Sequence, residues 1–355
     1  MGEHECGDRN GSCGGAGARR AAVLWLWLLA QALGIAPAVA ASYRLGAGEN
    51  IGDFNLAGYS NLVFSAPRGG PNELTLEGFS LFLFGHVSRY VNPFLEVESE
   101  GVSLAPNTHS GKIVVERLYN DFDLNSSTTL RIGKMLTPVG DWNLVHAAPL
   151  VWTVTRPLTT YYSFPVFVTS ASLNFQSFSN TRWDAQFYTQ PGNDVFAAGG
   201  DYEPRQYSRV AGFNVRYGRD PLNHIGLSVQ TADIQQSGGA SQILGSVYSE
   251  FTTGTVMWEF QANFTDIQGG ALIRAHNHEE GGFLQAVYPL TDQWFVVGQG
   301  EVYQTQEYVA SARRWAVEAV YRPRPAISWK LEYLDAQGPP VGDPGGVYAA
   351  FSVLF

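Results

Sequence analysis

From about residue 50 onward, apolar and polar residues alternate with a period of two. In "TVMWEFQANF", Val256, Trp258, Phe260, Ala262 and Phe264 point one way, and Glu259, Gln261 and Asn263 the other. In "RRWAVEAVY", Trp315, Val317, Ala319 and Tyr321 oppose Arg314, Glu318 and Arg322. In "NPFLEVESE", Leu95 and Val97 oppose Glu96, Glu98 and Glu100. Period two is the side-chain repeat of a β-strand. The runs are broken by Gly, Pro, Asn, Asp and Ser clusters of the kind that turn a chain back on itself. Seven of these are short: 89–92, 125–127, 177–180, 219–223, 252–254, 289–293 and 322–326. Seven short turns make seven hairpins. With a first strand near 50–64 and a last one at 347–355, the expected fold is all-β, antiparallel and sixteen-stranded. Fourteen or eighteen strands stay open, because the pattern is ambiguous over 264–282.

Alternation alone does not say which face is inside. A soluble sandwich buries its apolar face, and a membrane barrel turns that face to lipid. Three features decide for the barrel. The segment "ARRAAVLWLWLLAQALGIAPAVAA" has the basic start, short apolar run and Ala38-Val39-Ala40 site of a cleaved export signal, giving domains of 1–40 (signal) and 41–355 (barrel). The final strand "VYAAFSVLF" ends on aromatic and apolar residues, Phe351, Val353 and Phe355, suited to a membrane interface. The strands are long and recur about every twenty residues. Cys6 and Cys13 both precede the cleavage site, so the exported chain has no thiol for a nucleophile, a disulfide or a thiolate metal site.

One connection breaks the rhythm. Between "TTLRIGKML", the fifth strand, and "VFVTSASLNF" lies "TPVGDWNLVHAAPLVWTVTRPLTTYYSFP", residues 137–165. Structureless connections this long are uncommon and usually functional. Its Trp142, Leu144, Val145, Leu150, Val151, Trp152 and Val154 would be costly on an exposed tip. Folded into the lumen, it would bury them and leave Asp141, His146, Arg156 and Tyr161 to line a constriction, with Trp142 and Trp152 as anchors. Arg131, on the preceding strand, would add positive charge to the facing wall.

At this point the chain resembles a known family. A sixteen-stranded barrel with an inward third loop is similar to the Gram-negative trimeric porins. The stretch "LRIGKMLTPVGDWN" resembles the G-(K/R)-x-x-x-P-x-G exit from strand five in porins of the phosphate-selective kind. The resemblance implies a homotrimer in the bacterial outer membrane, in contact with lipid and lipopolysaccharide. It also implies that the aromatic C-terminal stretch Phe351, Val353, Phe355 is read by the barrel-assembly machinery. The chain departs from the phosphate-selective pattern in having scattered bases, Arg117, Arg131, Arg182, Arg216, Arg314 and Lys330, in place of a ladder.

Charge sharpens the picture. The net charge is −10, and removing 1–40 takes away three bases and three acids, so it stays at −10. Such a chain is a poor nucleic-acid binder. The expected lumen lining is Glu96, Glu98, Asp184, Glu259, Glu301, Glu318 and Glu332 with Arg131, Arg182, Arg216, Arg314 and Lys330. "HNHEE" (276–280) reads as a solvated external loop, so no metal and no cofactor are expected. An enzyme on the barrel would need a nucleophile, base and acid together. No G-x-S-x-G occurs, and His86, His109, His146 and His224 fall in separate hairpins. The expected function is passive diffusion of small hydrophilic solutes. The alternatives are a lipase- or protease-type barrel and an anion-selective channel.

Overall fold

The computed structural model describes residues 45–106, 110–177, 182–195, 205–220, 222–235, 238–270 and 274–355. The expected export signal at 1–40, His109, and the turn residues 178–180 and 221 lie outside them.

The strands are β1 (Glu49–Ile51), β2 (Phe54–Pro67), β3 (Glu73–Gly85), β4 (Asn92–Ala105), β5 (Lys112–Asn125), β6 (Thr128–Leu136), β7 (Phe167–Gln176), β8 (Arg182–Asn193) and β9 (Tyr207–Asp220). They continue as β10 (Asn223–Ile234), β11 (Ala240–Thr253), β12 (Val256–Gln268), β13 (His278–Pro289), β14 (Trp294–Gln304), β15 (Ala312–Arg324), β16 (Ile327–Gln337) and β17 (Gly346–Leu354). Each of β2–β17 pairs antiparallel with its neighbours in sequence, and β17 closes the ring on β2 (Gly346 opposite Pro67, Leu354 opposite Tyr59). Closure satisfies every strand's backbone groups, a requirement for any sheet in lipid. The result is a closed sixteen-stranded barrel, and among the described residues the short turns at 89–92, 125–127, 252–254, 289–293 and 322–326 fall where the punctuation places them.

The chain's first strand differs from expectation. It does not run unbroken from residue 50. Gly52, at φ +63°, turns the short β1 back onto Phe54–Leu56. That left-handed backbone suits glycine, which has no Cβ to clash.

Burial is inverted relative to a soluble protein. On β15 and β16 the outward Trp315, Val317, Trp329 and Leu331 are 45–56% exposed, whereas the intervening Arg314, Glu318, Lys330 and Glu332 are at most 4% exposed. A surface of exposed aromatics and aliphatics over buried charges is what lipid outside and polar contents inside require. It excludes the sandwich. "HNHEE" does not form a loop throughout: β13 begins at His278, and Glu279 is buried against Arg205. The alternation of "FLQAVY" extends back through Gly281 and Gly282, which carry no polarity signal.

The aromatic end is tied in. The Phe355 N–H and C=O bond to Gly58 at 2.9 and 2.8 Å, its ring stacks on Phe79 at 5.7 Å, and Phe351 sits 4.3 Å from Trp329.

Candidate functional site

The segment between β6 and β7, residues 137–166, holds two short 3-10 turns, Trp142–Val145 and Leu158–Thr160. Most of it is buried, although it is a connection; against expectation Leu144, Val145 and Leu150 stay 37–51% exposed. Its main chain is capped by side chains of the β9–β16 arc. Glu332 accepts from the N–H groups of Val154 (2.8 Å) and Thr155 (3.2 Å) and from the Thr155 hydroxyl (2.7 Å). Glu301 accepts from the N–H and hydroxyl of Thr159 at 2.8 and 2.9 Å. Lys330 donates to the carbonyls of Ala148 and Thr153, both at 3.0 Å, and Arg322 to those of Leu150 and Val151. Asn263 and Gln242 donate to the carbonyls of Thr159 and Ser163. A buried backbone group left unpaired costs about 1–3 kcal/mol, so these acceptors and donors hold an irregular segment in place.

Gly140, the second glycine of the quoted motif, has φ +71°, and a Cβ there would run into the Gln261 amide on β12. The motif's glycine therefore serves a left-handed turn that passes close to the wall. Trp142 meets Phe283 edge-on at 6.4 Å, and Trp152 lies 5.0 Å from Phe295 with Arg322 over its face at 3.9 Å.

The predicted constriction residues take different positions. Asp141 is buried, its Oδ2 2.5 Å from His224 Nε2 and its Oδ1 3.6 Å from Arg216. His146 lies between the carbonyl of Asn143 (3.0 Å) and the Glu116 carboxylate on β5 (3.6 Å), so the segment also touches the β2–β8 side. Arg156 turns back into its own segment, donating to Asn143 Oδ1 (2.8 Å) and to Thr160. Tyr161 corrects the expectation of a water-facing ring. It is 9% exposed in an apolar cluster with Leu136, Leu158, Tyr303 and Val341, and burial pushes its phenol up and keeps it neutral. Arg131 forms a two-pronged pair with Asp121 (2.8 Å each) and stacks 3.9 Å over Tyr119.

Of the lining residues named from alternation, Glu96, Glu98, Glu301, Arg314, Glu318, Lys330 and Glu332 are buried, and Arg182, Asp184, Arg216 and Glu259 are half-buried. Glu96 bonds Arg117 and, at 2.8 Å, the Ser80 hydroxyl; Glu98 accepts from Tyr59 at 3.0 Å. Asp184 sits between Arg182 (3.1 Å) and Arg216 (2.6 Å). Glu259 accepts from Gln285 at 3.0 Å, and Arg314 lies 3.5 Å from both Glu301 and Asp343. Glu318 is buried beside Lys330 and Glu332 on the neighbouring strand.

Several inward charges escaped the sequence reading, Asp121 beside Arg131 and the Arg205–Glu279 pair among them. Glu116 and Arg117 both turn inward because β5 carries a bulge: Glu96 opposes Arg117, yet Val97 opposes Val115. With Glu96 and Glu98, Glu116 completes a trio of carboxylates whose oxygens lie within 4.8 Å of one another. Glu250, inward on β11, is another, and strict period two from Tyr248 would have found it. A cavity of about 330 Å³ between the segment and the facing strands is lined by Arg131, Asp121, Asp141, Asp184, Arg216 and Asn214.

Residues 76–331 match the family described as "Putative beta-barrel porin-2, OmpL-like". The chain belongs to this porin family. A curated relative, an uncharacterized protein of Aquifex aeolicus (strain VF5), is 30% identical over 125 residues, 35% of the present chain and 28% of its own length. The chain therefore spans less than a third of that relative. Among solved structures, the porin's fold is similar to an anion-selective porin from Comamonas acidovorans (TM-score 0.59, 13% identity, 85% of this chain and 98% of that one). It is similar also to in-vitro folded OmpT of Vibrio cholerae in its trimer form (TM-score 0.58, 10% identity, 85% and 98%). At these identities the likeness is one of fold. The porin is thus an outer-membrane β-barrel.

Proposed function

We propose that the protein is a water-filled channel for passive diffusion of small hydrophilic solutes, in which residues 137–166 fold into the lumen and set its width. The observation that carries this reading is the capping of that segment's main chain by Glu301, Lys330, Glu332 and Asn263. These side chains alternate with lipid-facing residues along their strands, so a segment bound to them runs inside the ring. Transport follows the solute gradient, with no cofactor and no chemical step.

Two other readings fare worse. Asp141 and His224 are in contact as the acid and base of a hydrolytic triad would be, but His224 Nδ1 has no hydrogen-bond partner and the nearby Ser249 hydroxyl donates to the His224 carbonyl. No nucleophile is engaged. Anion selectivity of the Comamonas kind needs free positive charge, whereas Arg117, Arg131, Arg182, Arg216 and Arg314 are each paired with a carboxylate. Opposed, mutually compensated charges filter weakly by sign.

The trimeric form of the OmpT neighbour supports a homotrimer, which heat-modifiable bands on a mildly denaturing gel would register. Phe351, Val353 and Phe355 are proposed to be the signal read by the assembly machinery, and lipid and lipopolysaccharide to contact the outward apolar face. The pore reading is tested by single-channel recording after excising about ten residues from the middle of 137–166. A wider pore, with larger conductance and permeant size, supports it; unchanged conductance refutes it.

A further inference from the structure

We propose that the inner wall near the short-turn end holds a binding site for a small primary organic ammonium ion, a reading that rests on the protein being a pore. Glu250 on β11 lies directly opposite Glu259 on β12, and Gln285 on β13 lies opposite Glu259 in turn. Like charges directly opposite on neighbouring strands destabilise a sheet. Several other acids of the inner wall are matched with bases: Glu96 with Arg117, Asp121 with Arg131, Asp184 with Arg182 and Arg216. Among the described residues, neither Glu250 nor Glu259 has an ion-pair partner; the nearby Arg216 and His224 are directed at Asp141.

A second observation points to a ligand with donors. Gln285 is fully buried, and its Nε2 donates to Glu259 at 3.0 Å, yet its Oε1 has no partner. The same residues line a cavity of about 90 Å³ whose other walls include Leu150, Val151, Trp152, Met257 and Val287. Two carboxylates without an ion pair and an orphaned carbonyl therefore meet at one largely apolar space, which Asp141, itself paired with Arg216 and His224, also lines.

Chemistry narrows the occupant. An anion is repelled, and a neutral solute leaves two carboxylates uncompensated. A bare inorganic cation gives up hydration that aliphatic walls do not replace. A primary ammonium offers three N–H donors to three acceptors, and a short alkyl body lies against Leu150, Val151 and Trp152.

The probe is n-butylammonium, with n-butanol and Na⁺ as controls, applied to the purified full-length protein. In planar bilayers, n-butylammonium reduces the KCl current at concentrations at least tenfold lower than either control. Glu250→Gln and Glu259→Gln each raise the half-blocking concentration at least fivefold, with heat-modifiability on a gel reporting that each variant is folded. Intrinsic tryptophan fluorescence of the detergent-folded wild type is titrated in parallel, so that binding is read without conduction and without any variant. Saturable fluorescence change without conductance keeps the site and rejects the pore. Normal conductance with neither block nor fluorescence change overturns the site and leaves the pore. Equal effects of n-butanol or Na⁺ overturn the ammonium assignment.

Discussion

Two arcs of the inner wall carry similar charges and spend them differently. On β11–β16, Glu301, Glu332 and Lys330 bond the main chain of residues 137–166. On β3–β9, Glu96, Asp121 and Asp184 bond arginines of their own or adjacent strands. The first arc is a cradle for an irregular segment, and its charges replace water as hydrogen-bond partners. The second keeps Asp121, Arg131, Asp184 and Arg216 beside the cavity of about 330 Å³, as fixed opposite pairs. An inward charge therefore announces polarity, and its partner decides whether it serves structure or passage.

The largest expected effect lies on the cradle. Replacing both Glu301 and Glu332 by alanine orphans the N–H groups of Val154, Thr155 and Thr159, at about 1–3 kcal/mol each. The segment should loosen, seen as noisy, larger single-channel currents and a lower unfolding temperature. A quiet, wild-type current from the double variant would break the comparison.

A smaller effect is expected on the other arc. Asp184→Asn removes the carboxylate shared by Arg182 and Arg216, leaving Arg182 unpaired and Arg216 with only Asp141 at 3.6 Å. The reversal potential in a salt gradient should move toward anions, with a permeability ratio changed by about two- to fourfold. Conductance noise should stay at the wild-type level, because nothing in the segment is released.

Arg131→Gln is expected to do least. Its guanidinium is already neutralised by Asp121 and stacked on Tyr119. Its loss should shift the reversal potential toward cations by less than the Asp184 change shifts it the other way.

The periodicity made the faces legible: on β15, Arg314 and Glu318 are buried and Trp315 and Val317 exposed, as alternation requires. Turn chemistry made the hairpins legible. What stayed hidden depends on contacts remote in sequence. Nothing local to "ISWKLEYLD" says that Glu332 binds Val154, 178 positions away, and nothing near Glu301 points to Thr159. The β5 bulge hid Glu116, because one extra residue reverses the count of faces. Tyr161 was misjudged because a tyrosine suits both a wet lining and an apolar cluster, and only packing against Leu158 and Val341 separates the two.

The central claim, that residues 137–166 narrow the lumen, is tested most directly at Val145, which is 51% exposed on the first 3-10 turn. In a Val145→Cys variant held open in a planar bilayer, a bulky thiol-specific reagent should lower the conductance in discrete, irreversible steps. Complete labelling verified by mass, with conductance unchanged, would contradict the account.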